Sequence, residues 1–267
     1  MNRIEVDGGT VSYQVDGHGP GLVMVHGTGG DSRSNWDLLV PAFADDWTVV
    51  RPDYTGSGQT SDAGGALDVR ALAAQVVSAA RASGAVPFDL VGFSLGAAVA
   101  AVIAADYPDL VRRVVLLGAF LSSAAPRQRL QFGLWRDLIR TDRQAMARLI
   151  LLTGFSPAHL AGMGAADIDA AIASIVADTR WDGMARQVEL DLTVDVAGAA
   201  GRIRRPALVI GCAQDQMVPP AEARAVAAAI PGARYIELDS GHLAPLERPD
   251  ALIAHFRAFF REAPTWD

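Results

Sequence analysis

Three residues far apart in the chain have the types and settings of a proton relay. Ser94 stands at the centre of Gly92-Phe93-Ser94-Leu95-Gly96. An apolar run, Phe88 to Val91, precedes it, and a small-residue stretch, Leu95 to Tyr107, follows. The pattern predicts a strand, a sharp turn and a helix with serine at the apex. Such a turn strains the serine backbone and lifts Oγ clear of the sheet edge. Neighbouring backbone then comes too close for a Cβ at the flanking positions, which Gly92 and Gly96 accommodate. A hydroxyl is a weak nucleophile at neutral pH and needs a base within reach. His242, in Asp239-Ser240-Gly241-His242, suits that role because imidazole titrates near neutrality. Asp215, closing Gly211-Cys212-Ala213-Gln214-Asp215, can fix the ring tautomer and stabilise imidazolium.

Other candidates fit less well. His18 lies in a Gly-rich turn, His159 in a helical stretch and His255 within the last helix, so each reads as a surface or packing residue. Gly118-Ala119-Phe120-Leu121 offers no carboxylate, and Asp239 is too near His242 in sequence to sit behind its ring. Acyl transfer also needs donors aimed at the developing oxyanion, for which backbone N–H groups are suited. Leu95, just past the nucleophile, supplies one. The second is expected from the loop His26-Gly27-Thr28-Gly29-Gly30, with Thr28 preferred over Gly29. His26 reads as a residue that orders this loop.

These residues need elements to gather them. Short β-branched runs alternate with Ala- and Leu-rich segments, the pattern of a mostly parallel sheet covered by helices. Strands are predicted at Ile4–Val6, Val11–Val15, Leu22–Val25, Thr48–Arg51, Phe88–Val91, Arg113–Leu117, Ala207–Ile210 and Arg234–Leu238. Helices are predicted at Ser34–Ala44, Val69–Ala82, Ala221–Ile230 and Pro249–Arg261. The rhythm stops at about Leu121 and resumes after about Gly201. Between them lie helical stretches broken at Gly154, Pro157, Gly162 and Gly183. The expected organisation is an α/β core in two parts, 1–120 and 202–267, with a helical insertion, 121–201, after the sixth strand. Loops after the carboxyl ends of parallel strands collect at one edge, so Ser94, Asp215 and His242 can meet there.

Composition narrows the class. The 267 residues are 51% hydrophobic and 20% charged, enough for a sizeable core. A net charge of −7 makes nucleic acid a poor partner. The lone Cys212 excludes an internal disulfide framework and reads as packing. The polar start and the lack of any long apolar run predict neither a signal peptide nor a membrane span, hence a cytoplasmic protein. Asp53-Tyr54-Thr55-Gly56-Ser57-Gly58 lacks the Lys of a phosphate loop and reads as a tight turn beside the site.

Taken with His26-Gly27, the run Arg51 to Gly58, Val218-Pro219, Glu247 and Pro249, these motifs resemble the α/β-hydrolase superfamily. The resemblance lies nearest its capped esterases, lactonases, carbon–carbon bond hydrolases and cofactor-free haloperoxidase-like enzymes. It implies an eight-stranded sheet, a helical cap from about Leu121 to Gly201, and catalysis without metal or cofactor. Dehalogenases and epoxide hydrolases, which carry Asp at the elbow, are excluded by Ser94.

The insertion contains Phe132, Trp135, Phe155, Met163, Trp181 and Met184, which suggest a pocket for an apolar substrate; Phe132, Trp135 and Trp181 are the chosen lining residues. Arg129, Arg136, Arg140 and Arg143 share one helix face and read as a solvated surface rather than a carboxylate clamp. The expected activity is hydrolysis of a small apolar carboxylic ester, lactone or related carbonyl substrate through a Ser-His-Asp triad and an acyl-enzyme, by a monomer or homodimer. Acyl transfer, thioester hydrolysis or cyclisation, diketone cleavage, and a binding protein retaining the relay stand as alternatives.

Overall fold

A computed structural model describes residues 1–262; positions 263–267, the end of the expected 202–267 segment, lie outside the described residues. The chain opens on an antiparallel pair, β1 (Asn2–Val6) and β2 (Gly9–Asp16), then β3 (Gly21–Val25) and β4 (Thr48–Asp53). A two-residue strand, β5 (Ser61–Asp62), pairs with β2 and is too short to carry a periodic signal in the sequence. Helix α1 (Val69–Ala82) starts where Asp68 accepts hydrogen bonds from the Arg70 and Ala71 N–H groups. Next come β6 (Phe88–Phe93), α2 (Leu95–Asp106) and β7 (Val111–Leu117).

Six helices follow before the sheet resumes: α3 (Pro126–Thr141), α4 (Arg143–Gly154), α5 (Pro157–Gly162), α6 (Ala165–Asp178), α7 (Trp181–Asp191) and α8 (Ala197–Ala200). Then β8 (Ala207–Cys212), α9 (Pro220–Ala229), β9 (Arg234–Leu238), α10 (Ala244–Glu247) and α11 (Pro249–Arg261) complete the described chain.

The strand order is β1-β2-β4-β3-β6-β7-β8-β9, with β5 beside β2. All neighbours from β4 onward run parallel. From β3 the chain steps outward to β4 and then crosses back to β6 on the other side. The crevice beyond the ends of β3 and β6 is therefore the point where strand order reverses, the usual place for a ligand in such a sheet.

Alternation along the strands feeds two cores. Leu90, Val114 and Leu116 pack on one face with α1 and α2, while Val91, Phe93, Val115 and Leu117 pack on the other with α11. Helix α2 is buried on nearly every side, which explains its small side chains. Fully burying one such Val or Leu contributes about 1.5–3 kcal/mol.

Two local expectations are corrected. Ser34–Ala44 is not an α-helix but a run of turns that includes a 3-10 turn at Val40–Ala42. Pro41 has no N–H to give and its ring would clash within a helix interior, while Trp36, Leu39 and Phe43 reach the second core without one. Gly183 does not break a helix; it lies inside α7.

Candidate active site

Six loops leave the carboxyl edge of the sheet, at β3, β4, β6, β7, β8 and β9, and they carry the residues singled out in the sequence. Ser94 follows β6 directly, with φ 56° and ψ −122°, and is the only non-glycine residue with positive φ among those described. That strain is held from both sides. The Ser94 N–H donates to Leu117 O at 2.9 Å, and Gly92 and Gly96 lie against backbone. A Cβ on Gly92 would stand 2.3 Å from Gly96 O, and one on Gly96 would stand 2.3 Å from His26 O. Strained backbone of this kind persists only where the surroundings over-determine it.

Asp215 and His242 meet after β8 and β9. His242 Nδ1 lies 2.6 Å from Asp215 Oδ2, and both side chains are buried. Asp215 is itself fixed, its Oδ1 accepting from the Met217 N–H at 2.8 Å and the Val218 N–H at 2.7 Å. With its partner acceptor-only, Nδ1 carries the proton and Nε2 is left as the basic nitrogen. The ring packs on Phe93, centroids 4.9 Å apart, and against Gly118, where an added Cβ would lie 3.0 Å from His242 Cε1.

The loop bearing His242 is tied to the helical insertion. Glu247 Oε2 accepts from the Gly241 N–H at 3.1 Å and from the Ser156 N–H at 2.9 Å, and the Leu243 N–H donates to Gly154 O at 2.8 Å.

Ser94 and His242 line one cavity of about 380 Å³. No hydrogen bond joins the hydroxyl to the ring among the described residues.

The loop after β3 runs along the cavity. A Cβ on Gly27 would approach Ser94 Cβ to 3.0 Å. Within this loop the Gly27 N–H donates to Asn35 Oδ1, the Gly29 N–H to Gln187 Oε1 and the Gly30 N–H to Gly27 O. The Gly29 N–H is thus engaged, whereas the Thr28 N–H has no partner among the described residues. Leu95 opens α2, where helix N–H groups lack intrahelical acceptors. His26 lies beneath the loop, its Nδ1 donating to Gly27 O at 2.9 Å and its ring stacked 4.0 Å from Tyr54. Burial lowers its pKa, so it stays neutral.

The helices between β7 and β8 supply much of the cavity wall, including Phe132, Trp135, Leu151, Phe155, Ile175 and Met184. A polar end is formed by Asp31, Ser34, Asn35 and Asp178. Trp181, chosen from the sequence, does not line it. Its indole N–H donates to Val176 O at 3.0 Å and Arg143 stacks 5.4 Å over its ring, so it braces α6 against α7. Met163 is also absent from the wall. The four arginines do not share one helix face: α3 ends at Thr141, so Arg143 opens α4 and stacks on Trp181, while Arg129, Arg136 and Arg140 lie on α3 outside the cavity, with Arg140 pairing with exposed Glu189. His18 and His255 are exposed, and His159 stacks on Phe155. Cys212 is buried at the end of β8, and burial pushes its thiol pKa well up, as befits inert packing.

Two residues near the site gave no sequence signal. Gln187 and Asp191, both on α7, are buried and reach the loop after β3: Gln187 through the Gly29 N–H at 2.8 Å, Asp191 through the Thr28 hydroxyl at 2.7 Å. Burial pushes the Asp191 carboxyl up to about 7, against the opposing effect of the Thr28 hydrogen bond. A Gln and an Asp four apart in a helix ordinarily mark its wet face.

Comparison with known proteins agrees with this architecture. Residues 20–249 match the family model described as the alpha/beta hydrolase fold. A pyrrolizixenacetamide deacetylase from Xenorhabdus hominickii is 60% identical over 259 residues, 97% of each chain. Among solved structures, the enol-lactonase from Burkholderia xenovorans LB400 superposes with a TM-score of 0.88 at 27% identity, covering 98% of this chain and all of that one. A hydrolase from Pseudomonas aeruginosa PA01 gives 0.86 at 26% identity, covering 98% of each.

Proposed function

The chain belongs to the α/β hydrolase fold family, an ester- or amide-acting hydrolase, and on that premise we propose that it removes a short acyl group from an apolar small molecule through Ser94, His242 and Asp215. The acetamide named for the 60%-identical relative makes an N-acetyl amide the first substrate class to test. Amides extend the esters and lactones expected from sequence, and need no further residue. The observation that carries the reading is the buried 2.6 Å Asp215–His242 pair, whose His242 lines the same cavity as Ser94.

In this mechanism His242 Nε2 takes the Ser94 proton as Oγ attacks the acyl carbon. The oxyanion forms toward the Thr28 and Leu95 N–H groups. The protonated ring then gives its proton to the leaving nitrogen, which matters more for an amine than for an alcohol, and the C–N bond breaks. Water, deprotonated by the same nitrogen, attacks the acyl enzyme and releases the carboxylic acid and free Ser94. Asp215 keeps the proton on Nδ1 throughout and offsets the imidazolium charge.

The cap reading of 121–201 supports this function, because its apolar side chains would receive the body of the substrate. A lactone fits the same steps with a tethered leaving alcohol, as the enol-lactonase similarity suggests.

The test is Ser94→Ala assayed with p-nitrophenyl acetate, p-nitroacetanilide and a lactone panel. The variant should fold and lose nearly all turnover. Undiminished hydrolysis by it would reject the role of Ser94.

A further inference from the structure

One face of α7 lies on the loop that offers the Thr28 N–H. Gly183, Met184, Gln187 and Asp191 fall at the spacing that shares a helix side. Gly183 permits backbone contact: a Cβ there would stand 1.9 Å from Gly56 O. Met184 fills the space beside Gly29, its Sδ 2.9 Å from where a Cβ on that glycine would lie. Gln187 spans two loops, accepting from the Gly29 N–H and donating from Nε2 to Ser57 Oγ at 2.8 Å. Asp191 receives the Thr28 hydroxyl on Oδ2, and its Oδ1 has no partner among the described residues. Both side chains are at most 1% exposed. The site thus spends two desolvated polar groups of the insertion on the two residues that flank the Thr28–Gly29 peptide, a costly arrangement for packing alone.

From this geometry we infer that Gln187 and Asp191 are positioning residues: helix α7 of the insertion sets the orientation of the Thr28 N–H and so completes the oxyanion hole. The inference rests on the serine hydrolase reading above and adds a coupling to it. Capturing the Gly29 N–H removes that group as a competing donor and fixes the Thr28–Gly29 peptide plane. Capturing the Thr28 hydroxyl holds the Thr28 Cα, from which the Gly27–Thr28 peptide and its Thr28 N–H extend. Displacement of α7 would leave Ser94, His242 and Asp215 in place and loosen only the oxyanion site. Catalysis then depends on the seating of the insertion, even though neither residue lines the cavity.

The experiment is Gln187→Met, nearly isosteric but unable to make the hydrogen bonds of Gln187 to Gly29, Ser57 and Thr55. With p-nitrophenyl acetate, kcat should fall by about tenfold to a hundredfold, the range expected from a small misplacement of a catalytic donor. KM should stay within about twofold, as for an interaction made only in the transition state. Phenylboronic acid, whose Ser94 adduct puts an oxygen in the hole, should lose affinity by the same factor as kcat/KM. Thr28→Val, which keeps the N–H and deletes the hydroxyl held by Asp191, should show the same split, and it decides the matter if Gln187→Met does not fold. A folded variant with unchanged kcat and boronate affinity, or with the loss confined to KM, overturns the inference. Fluorophosphonate labelling of the wild type separates the two levels. Labelled Ser94 with unaltered variants removes the positioning role alone, whereas an unlabelled Ser94 removes the hydrolase reading and this inference with it.

Discussion

Asp191→Asn should make the protein more stable at alkaline pH, and the gain should grow with pH over a defined window. Asp191 is wholly buried, so its charged form is penalised, and its carboxyl moves from an ordinary 3.8 to about 7. Because the folded-state pKa is raised, the native protein holds this proton more tightly than the unfolded chain. The stabilisation is complete below about pH 4, is lost steadily as pH rises, and is gone once pH passes about 7. Each pH unit in that window is worth about 1.4 kcal/mol. The full change is therefore about 4 kcal/mol, and between pH 5 and pH 7 it is about 3 kcal/mol. Asparagine cannot ionise, and its side-chain oxygen can still accept from Thr28. Its amide, left without a partner in the space of Oδ1, costs about 1–3 kcal/mol at every pH. The variant should then be close to the wild type near pH 5 and more stable by about 1–3 kcal/mol above pH 7. Urea unfolding of both proteins at unit pH steps from 5 to 9 measures the difference, in which titrations common to both cancel. A difference independent of pH would show that Asp191 does not ionise in this window, and would refute the reasoning from burial.

Other expectations follow from the same contacts. Asp215→Asn leaves the packing intact but lets the ring adopt the wrong tautomer; kcat should fall by about 10⁴-fold with KM little changed, and a loss under about tenfold would count against the relay. Ser94→Gly should abolish turnover while raising stability by about 1–3 kcal/mol, because glycine tolerates φ 56° without strain; a melting temperature at or below that of the wild type would contradict the strained elbow. Gly96→Ala places a methyl 2.3 Å from His26 O and 2.4 Å from Val25 O, both backbone, so it should cost about 3 kcal/mol or more in urea unfolding.

What was legible in the sequence was what is local in the chain. The elbow, the β8 and β9 loops and the strand rhythm each occupy a few consecutive residues whose types betray their geometry. Parallel order then brings Ser94, Asp215 and His242 to one edge without further information. Features set by packing between distant segments were not legible. Trp181 has the composition of a pocket residue, but only the arrangement of α6 and α7 shows its indole turned to Val176 O. Phe132 and Trp135, of the same composition, do line the cavity. Ser34–Ala44 has helix-like apolar spacing, yet Pro41 and the anchoring of Trp36 and Phe43 in the core make turns the better solution. Gly183 reads as a breaker in one dimension and is a contact surface in three, where α7 meets Gly56.

The central claim is that Ser94 becomes covalently acylated during turnover. Rapid-quench incubation with p-nitrophenyl acetate, followed by mass spectrometry of the digested protein, tests it most directly. One acetyl group on the peptide carrying Ser94, formed and lost at rates compatible with kcat and absent in Ser94→Ala, is the predicted result. Turnover at full rate with no acetyl on that peptide, or with acetyl on another residue, would contradict it.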